Sequence, residues 1–294
     1  MTPLRTLTLA LAAALASGCT MIPDYERPAA PVAAGFPNAA PAAAEAAPAD
    51  AIAWRDYFSD ARLREVIALA LANNRDLRIA ALNIEKARAQ YRIQRADLFP
   101  AVGASGGMNA QRLPGDLTSS GEAEVNRSYS ATIGFAAYEL DFFGRIRSLN
   151  AEALESYLGT EEARRSAQIS LVAEVANAWL TLAADRERLA LARSTYETRQ
   201  KSSDLTRRSF EAGAVSALDL HQAETLLHNA RADAARYRSF VAQDENALAL
   251  ITGAPVPAEL LPATLTDSIS AVAELPAGVP SEVLVRRPDI LQAE

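Results

Sequence analysis

Cysteine and histidine are scarce in this 294-residue chain, which has one cysteine and two histidines. A single cysteine excludes a disulfide bond within the chain. His221 and His228 lie seven positions apart in one predicted helix with no third metal ligand near them, so the sequence predicts no metal site. There is no phosphate-binding loop, and the small residues of Gly103–Gly107 belong to a predicted strand. We therefore expect no enzyme activity and no cofactor.

The chain also lacks an excess of positive charge. Its 36 acidic residues outnumber its 29 basic residues and give a net charge of −7. This balance argues against a nucleic-acid-binding function. The apolar run near the N-terminus, Leu7 to Leu15, is too short to span a membrane as a helix.

Proline and glycine are nearly missing from two long stretches. From Arg145 to Ala212 there is only Gly159, and Ala217 to Thr252 has neither residue. If fully helical, these stretches would measure about 100 Å and about 54 Å at ~1.5 Å per residue. Apolar residues recur in steps of three and four, as in a coiled-coil seam. The seam positions are Leu171, Val175, Ala178, Leu182, Leu189, Ala192 and Tyr196, then Ala223, Leu226, Ala230, Ala234, Tyr237, Val241, Leu248 and Ile251.

A short break separates the two stretches. Gly213 can end a helix in the left-handed conformation at little steric cost. Ser216 can cap the next helix, with Asp219 at the third helical position, which is the spacing of a capping box. A loop this short forces the helices to run back side by side. The sequence predicts a long helical hairpin over 141–252 with its tip at 210–219.

The N-terminus reads as an export signal. Arg5 and the apolar run are followed by Ser17-Gly18-Cys19, which looks like a bacterial lipobox in which the cysteine thiol is acylated. We predict a lipoprotein signal peptide over 1–18, lipidation at Cys19 and a lipidated, Pro/Ala-rich tether over 19–53. Thr20, in place of aspartate, favours the outer membrane. The alternative is an ordinary signal peptide with a cysteine nearby.

A first helix is predicted over 54–98, capped by Ser59 or Asp60 and ending before Phe99-Pro100. After this helix the spacing of apolar residues changes to every second position, on either side of a polar loop at 112–127. Each alternating run has about ten residues, enough to cross a bilayer when tilted, so 99–140 predicts a transmembrane β-strand pair with an extracellular loop. The lipid-facing side chains would be Val102, Met108, Tyr129, Ile133 and Phe135. The alternative is a two-stranded hairpin packed on a soluble domain.

Prolines return after Gly253, and 253–281 predicts a connector. The residues that follow match an earlier stretch at a shift of 213 positions, where Asp289 matches Asp76 and Ile290 matches Leu77. We interpret 282–294 as the truncated start of a second repeat and expect the chain to be part of a longer protein.

The order of these features resembles the outer-membrane efflux factors of the TolC/OprM type, and in particular their lipidated, NodT-like branch. The stretches that carry the resemblance are Cys19–Pro28, Trp54–Asp60, Asn74–Leu77, Tyr138–Arg145, the tip, Leu275–Ser281 and Arg286–Asp289. The resemblance implies a mainly α fold with a transmembrane β-hairpin: long coiled-coil helices plus strands of a shared β-barrel, here the first of two repeats. In that family three protomers form one barrel and one helical tunnel.

The resemblance also implies a function. The chain would be the outer-membrane channel component of a tripartite, RND-type efflux or export system, a passive exit duct for drugs or other small molecules. Its partners would be a periplasmic adaptor (membrane fusion) protein, an inner-membrane RND-type pump and outer-membrane lipid, with a homotrimer at full length. The adaptor contact would lie at the periplasmic tip, with Asp219 acting in tunnel closure or only as a helix cap. The tip residues are Gly213, Val215, Ser216, Leu218 and Asp219.

A second function stays open at this point. The chain could be a lipid-anchored periplasmic coiled-coil adaptor or scaffold without a pore of its own. Adaptors carry helical hairpins too, but lipoyl-like and β-barrel domains flank those hairpins, and this sequence predicts no such strand-rich flanks.

Overall fold

The computed structural model of the protein describes residues 22, 25–29, 52–135, 138–265 and 281–294. Cys19, the signal peptide and most of the tether lie outside the described residues, as does much of the predicted connector. Lipidation at Cys19 therefore stays a prediction.

The described residues form six α-helices and two β-strands. They are α1 (Trp54–Tyr57), α2 (Ala61–Asn73), α3 (Arg75–Ala96), β1 (Val102–Leu113), β2 (Glu124–Phe135), α4 (Arg145–Glu211), α5 (Ala217–Thr252) and α6 (Pro288–Ala293). The chain divides into two compact units. We call Met1–Pro28 with Glu85–Leu158 the strand unit, and Ala29–Ile84 with Gly159–Glu294 the helical unit.

The core of the helical unit lies where α2, α4 and α5 meet around Trp179, which is fully buried. The indole Nε1 of Trp179 donates a hydrogen bond of 2.9 Å to the carbonyl oxygen of Leu260. Arg186 donates to the carbonyl oxygen of Pro262 at 2.6 Å, and the backbone N of Leu265 donates to Glu187 at 3.0 Å, so three hydrogen bonds attach the segment after α5 to α4. The buried core side chains are Phe58, Leu63, Val66, Ile67, Ala70, Leu171, Val172, Val175, Ala176, Trp179, Leu182 and Leu248.

The helix predicted over 54–98 is not continuous, and this prediction was wrong. α1 ends at Tyr57, Asp60 caps α2 through the backbone N–H groups of Arg62 and Leu63, and the chain breaks again at Asn74. The Asn74 side chain accepts a hydrogen bond from the backbone N of Leu77 (2.8 Å), as an N-cap of α3. Its amide donates to the carbonyl oxygen of Ile251 (2.7 Å), so a tertiary contact with the end of α5 supports the break.

The break at Asn74 also bears on the repeat. α3 begins directly after Asn74, and α6 begins directly after Arg287, which is the matching position at a shift of 213 residues. The two helices therefore start at equivalent points, as the matching residues in the sequence suggest.

The two long helices have the predicted limits, and ion pairs link them between Arg186 and Glu245 (2.7 Å) and between Arg207 and Glu224 (2.8 Å). Most predicted seam residues are buried or half-buried, but Leu226 is 46% exposed, and Leu227 occupies the inner position in its place. With this correction the seam of α5 steps regularly through 223, 227, 230, 234, 237, 241, 244, 248 and 251. Asp244 is therefore a seam residue.

Asp244 shares this polar layer of the seam with Asp185 of α4, which is buried and bonded to Arg188 (2.6 Å). One carboxylate oxygen of Asp244 is buried without a hydrogen-bond partner among the described residues. Burial, and then the negative charge of Asp185, raise the pKa of Asp244 above its ordinary value.

In the strand unit, β1 and β2 form a two-stranded antiparallel sheet with twelve paired positions, from Val102↔Phe135 to Leu113↔Glu124. The predicted loop at 112–127 was too long, because the ladder continues past the apolar alternation and only 114–123 separate the strands. All paired side chains except the half-buried Leu113 are exposed. The alternative of a hairpin packed on a soluble domain therefore finds no support in the described chain.

Gly253 generates a first testable prediction, because it ends α5 with a φ of 71° beside the end of α2. A Cβ atom there would stand 2.4 Å from the carbonyl oxygen of Asn73. We expect Gly253→Ala to lower the free energy of unfolding by roughly 2–4 kcal/mol, through backbone strain and the clash. Denaturant unfolding measures this. Gly159→Ala is the control, because a Cβ there meets nothing closer than 3.8 Å, and equal losses for both variants would contradict the assignment.

The aspartate layer generates a second prediction. Because the pKa of Asp244 is raised in the folded state, the protonated carboxyl favours folding. This contribution to the free energy of unfolding is complete below the unfolded-state pKa and is lost as the pH rises through the folded-state pKa. Asp244→Asn should therefore raise the unfolding temperature at pH 7.5 by roughly 2–4 °C and change it little near pH 4. The control is Asp233→Asn, which removes an exposed carboxylate paired with Arg236 on the same helix. A destabilised Asp244→Asn protein at pH 7.5 would refute the prediction.

Candidate functional site

The strand hairpin has two chemically different faces, which the register defines. Directly paired residues of an antiparallel sheet point to the same side, so Val102 shares a face with Phe135, and Met108 shares it with Tyr129. The pairing of Ala104 with Ile133 completes this apolar face. The register thus places all five predicted lipid-facing residues together, each between 59% and 80% exposed. Lipid contact itself stays a prediction.

The opposite face carries small polar groups. Its members are Gly103, Ser105, Gly107, Asn109, Gln111, Asn126, Ser128, Ser130, Thr132 and Gly134. The run Gly103–Gly107 matches the letter spacing of the Gly-x-Ser-x-Gly nucleophile motif. Ser105, however, is exposed in the middle of β1 and not at a strand-to-helix turn, so the run has no nucleophile geometry. A small, uncharged face suits contact with water.

Aromatic residues flank the open end of the hairpin, and the sequence pattern did not single them out. Phe99 precedes β1, while Tyr138, Phe142 and Phe143 follow β2, and all four are exposed. The Tyr138 hydroxyl donates to the carbonyl oxygen of Leu98 at 3.4 Å. Membrane barrels carry girdles of aromatic residues at their interfaces, and an exposed aromatic cluster beside the strands is compatible with that arrangement. The spacing of these residues just outside the alternating runs was the available signal.

Two carboxylates between β2 and α4 bind the first turn of α4. Asp141 accepts a hydrogen bond of 3.0 Å from the backbone N of Arg147, the third residue of the helix, and so satisfies one of its free N–H groups. Burial acts to raise the pKa of Asp141, but the hydrogen bonds from Arg147 outweigh it and hold the pKa below its ordinary value. Beside it, Glu139 binds the guanidinium of Arg145 through both carboxylate oxygens.

The helical tip has a fully hydrogen-bonded turn. Gly213 has a φ of 77°, its N–H donates to the carbonyl oxygen of Phe210 (2.9 Å), and Ala214 donates to Ser209 (2.8 Å). These two bonds form a Schellman motif. The predicted capping box follows and is confirmed: Asp219 N donates to Ser216 Oγ (3.2 Å), and Ser216 N donates to Asp219 Oδ2 (3.0 Å).

The tip presents two large apolar side chains to solvent, Leu218 and the less exposed Phe210 (40%). Leu218 is 65% exposed, Val215 is half-buried, and the other predicted tip residues are exposed. The hydrogen bonds from the Ser216 side chain and backbone hold the pKa of Asp219 below its ordinary value. Behind the tip, Glu224 contacts both Arg207 (2.8 Å) and His221 Nδ1 (3.3 Å). These contacts fix the turn while leaving its outer surface open.

Metal ligands and membrane-spanning helices are the two other kinds of functional feature to consider. In the described part of the chain, no group of three or more His, Cys, Asp or Glu residues could hold a metal ion. One helix, α4, is long and apolar enough by composition to cross a membrane, and 33% of its most apolar stretch is buried within the protein.

The faces of the hairpin generate a prediction about accessibility. Ile133→Cys and Thr132→Cys each introduce one thiol. The two positions are adjacent in β2, but their side chains lie on opposite faces of the hairpin. We expect a membrane-impermeant maleimide to label Thr132→Cys in native outer membranes at least tenfold faster than Ile133→Cys, because lipid shields the apolar face. Wild-type protein controls for Cys19. Equal labelling rates would contradict the assignment of the faces.

Comparison with known proteins places the chain in a family. The family model described as "Outer membrane efflux protein" matches residues 66–254. The chain is 50% identical over 292 residues to the "Probable efflux pump outer membrane protein TtgC" of Pseudomonas putida, covering 98% of this chain and 60% of that protein. A crystal structure of a membrane protein from Pseudomonas aeruginosa is similar at 43% identity and a TM-score of 0.78, covering 94% of this chain and 61% of that one.

A second solved structure extends the likeness. The open state of the Neisseria gonorrhoeae MtrE outer membrane channel matches at 36% identity and a TM-score of 0.74, over 94% of this chain and 60% of that chain. The chain thus spans about three fifths of the length of the curated relatives that it matches. The matched fold is the TolC-like fold that the sequence resemblance implies. On the family-model match over most of its length, the chain belongs to the outer membrane efflux protein family.

Proposed function

We propose that the chain supplies part of the outer-membrane channel of a tripartite, RND-type efflux system, in which it acts as a passive exit duct for drugs or other small molecules. The observation that carries this proposal is the twelve-pair hairpin, with one exposed apolar face and one small polar face. A closed barrel built from such hairpins would turn the apolar faces to lipid and the polar faces to a water-filled lumen.

Exposed apolar side chains support assembly with further copies. Among the described residues, Ile93 of α3, Leu191 and Leu205 of α4, and Leu250 of α5 are each more than 65% exposed. Contact with further protein would remove these side chains from water, which is favourable. We propose a homotrimer of the full-length protein, in which second-repeat helices and neighbouring protomers cover these side chains.

The proposed partners at the inner end are a periplasmic adaptor and an inner-membrane RND-type pump. The tip, with exposed Leu218 on a hydrogen-bonded turn, suits a contact with another helical hairpin. At the other end of the chain, acylation of Cys19 would anchor the N-terminus in the outer membrane. A pore-free scaffold, the rival function, has no use for an exposed hairpin of bilayer length.

The tip assignment gives the functional prediction. Gly213 has a positive φ, and no atom lies within 4 Å of the place where a Cβ would stand, so Gly213→Val would strain the turn without a clash. We expect this variant of the full-length protein to lower the minimal inhibitory concentration of pump substrates at least fourfold, because the adaptor contact is distorted. The level of heat-resistant trimer in outer membranes should stay unchanged.

Gly121→Val is the matched control, because Gly121 has a φ of 74°, is equally uncrowded and lies in the strand loop. That variant should retain resistance. Gly213→Asn should also retain most of it, since asparagine tolerates the left-handed conformation. Full resistance in Gly213→Val cells with a normal trimer level would argue against the tip as the partner contact.

A further inference from the structure

Two arginines stand on the apolar face of the hairpin, at its loop end. In the register Arg127 is opposite Ala110 and Arg112 is opposite Val125, so both guanidinium groups belong to the same face as Ile133 and Phe135. The arginines are diagonal neighbours, which in such a ladder are separated by roughly 7–8 Å. The opposite face carries uncharged residues up to Glu124, so the two positive charges are confined to the side proposed to meet lipid.

Neither arginine has an ionic partner among the residues that the structure describes. Both are exposed, and no carboxylate among residues 52–135 and 138–265 lies within ion-pair distance of either guanidinium. The acidic residues nearest in sequence are Asp116 and Glu122, in the loop beyond the ladder, and Glu124, which points to the other face. Each guanidinium thus keeps its N–H donors for a ligand outside this part of the chain.

The distance of the two arginines from the open end of the hairpin indicates which class of ligand their guanidinium groups would meet. From Val102 to Arg112 the strand rises about 34 Å, and from Phe135 to Arg127 about 27 Å, at ~3.4 Å per residue. At a tilt of roughly 40° these rises become about 26 Å and about 21 Å, which matches an apolar band of about 25 Å. The guanidinium groups therefore fall at the far edge of the band from the aromatic residues at its open end.

We infer that Arg112 and Arg127 form a binding site for the phosphate groups of an outer-leaflet lipid. This inference rests on the proposed insertion of the hairpin in the outer membrane. An arginine pair at the headgroup level can grip phosphate oxygens through paired N–H donors while its stems remain among acyl chains. The site takes a phosphorylated glycolipid whose acyl chains cover the apolar face below it.

Lipid retention by the purified full-length trimer tests this site. The probe is bisphosphorylated lipid A, added in detergent and counted by native mass spectrometry, with dephosphorylated lipid A as the comparison lipid. We expect wild-type protein to retain lipid A at least fivefold more than the Arg112→Gln/Arg127→Gln double variant, and the dephosphorylated lipid equally in both. Arg193→Gln/Arg231→Gln is the control, because it removes the same charge from exposed helix positions and should retain lipid A as wild type does.

Several outcomes would overturn the inference. Equal lipid A retention by the double variant and the wild type removes the arginines from the site. Displacement of lipid A by an equal concentration of inorganic phosphate assigns the pair to a free anion. If the double variant does not form a trimer, the single variants Arg112→Lys and Arg112→Gln replace it: the first should retain lipid and the second should lose at least twofold.

Failure of this inference is distinguishable from failure of the proposed function. If the hairpin is not in lipid, Ile133→Cys becomes as accessible as Thr132→Cys and the proposed channel fails with the lipid site. If only the lipid site is wrong, Ile133→Cys stays protected while lipid A retention is the same in all variants.

Discussion

The unpaired strand edges are the constraint on which the rest of this structure depends. In the described residues β1 pairs only with β2, so one edge of each strand offers its N–H and C=O groups to no partner. In hydrocarbon each such group costs several kcal/mol, and only closed barrels and helices avoid that cost. In its proposed membrane location the hairpin would therefore require strands on both sides. Shared barrels built from several chains meet this requirement, which connects the local strand pattern to an assembly larger than one chain.

The helical unit solves a different problem, since long exposed helices must be held in one arrangement by a narrow contact. Its seam is built largely of alanine and leucine, and the ends of the hairpin are fixed by hydrogen bonds. At one end the Schellman turn and the capping box satisfy the free backbone groups of α4 and α5. At the other end Asn74 and Trp179 bind the carbonyl groups of Ile251 and Leu260. Both ends leave little freedom for the helices to slide.

The sequence predicts local features well because their causes are local. The limits of α4 and α5 follow from Gly213, Ser216 and Gly253, and the strand faces follow from a period of two. The break at Asn74 was missed because asparagine is tolerated within helices, and the contact that favours the break comes from Ile251, 177 positions away. Leu226 was predicted in the seam in place of Leu227 because both of these adjacent leucines fit the spacing of three and four residues almost equally well.

The strand ends were missed for a related reason. Beyond Ala110 and before Tyr129 the side chains turn polar, so the pattern of apolar residues ends while the backbone ladder continues to Leu113 and Glu124. Hydropathy reports where side chains meet an apolar environment, and hydrogen bonding decides where strands end. The role proposed for the hairpin rests on its pattern and on the family resemblance, whereas the pairing of the two arginines at its edge is visible only from the register.

The aspartate layer of the helical seam shows how a polar pair acts on stability inside a narrow contact. Asp185 and Asp244 occupy seam positions between layers of leucine and valine, and burial of a second carboxylate beside the first is unfavourable at neutral pH. Asp185 is bonded to Arg188 within α4, so the cost falls on Asp244, whose buried carboxylate oxygen has no partner among the described residues. Protonation of Asp244 relieves both the burial of charge and the repulsion between the two carboxylates. The stability of this long hairpin therefore depends on pH through one seam position, while its alanine and leucine layers are insensitive to pH.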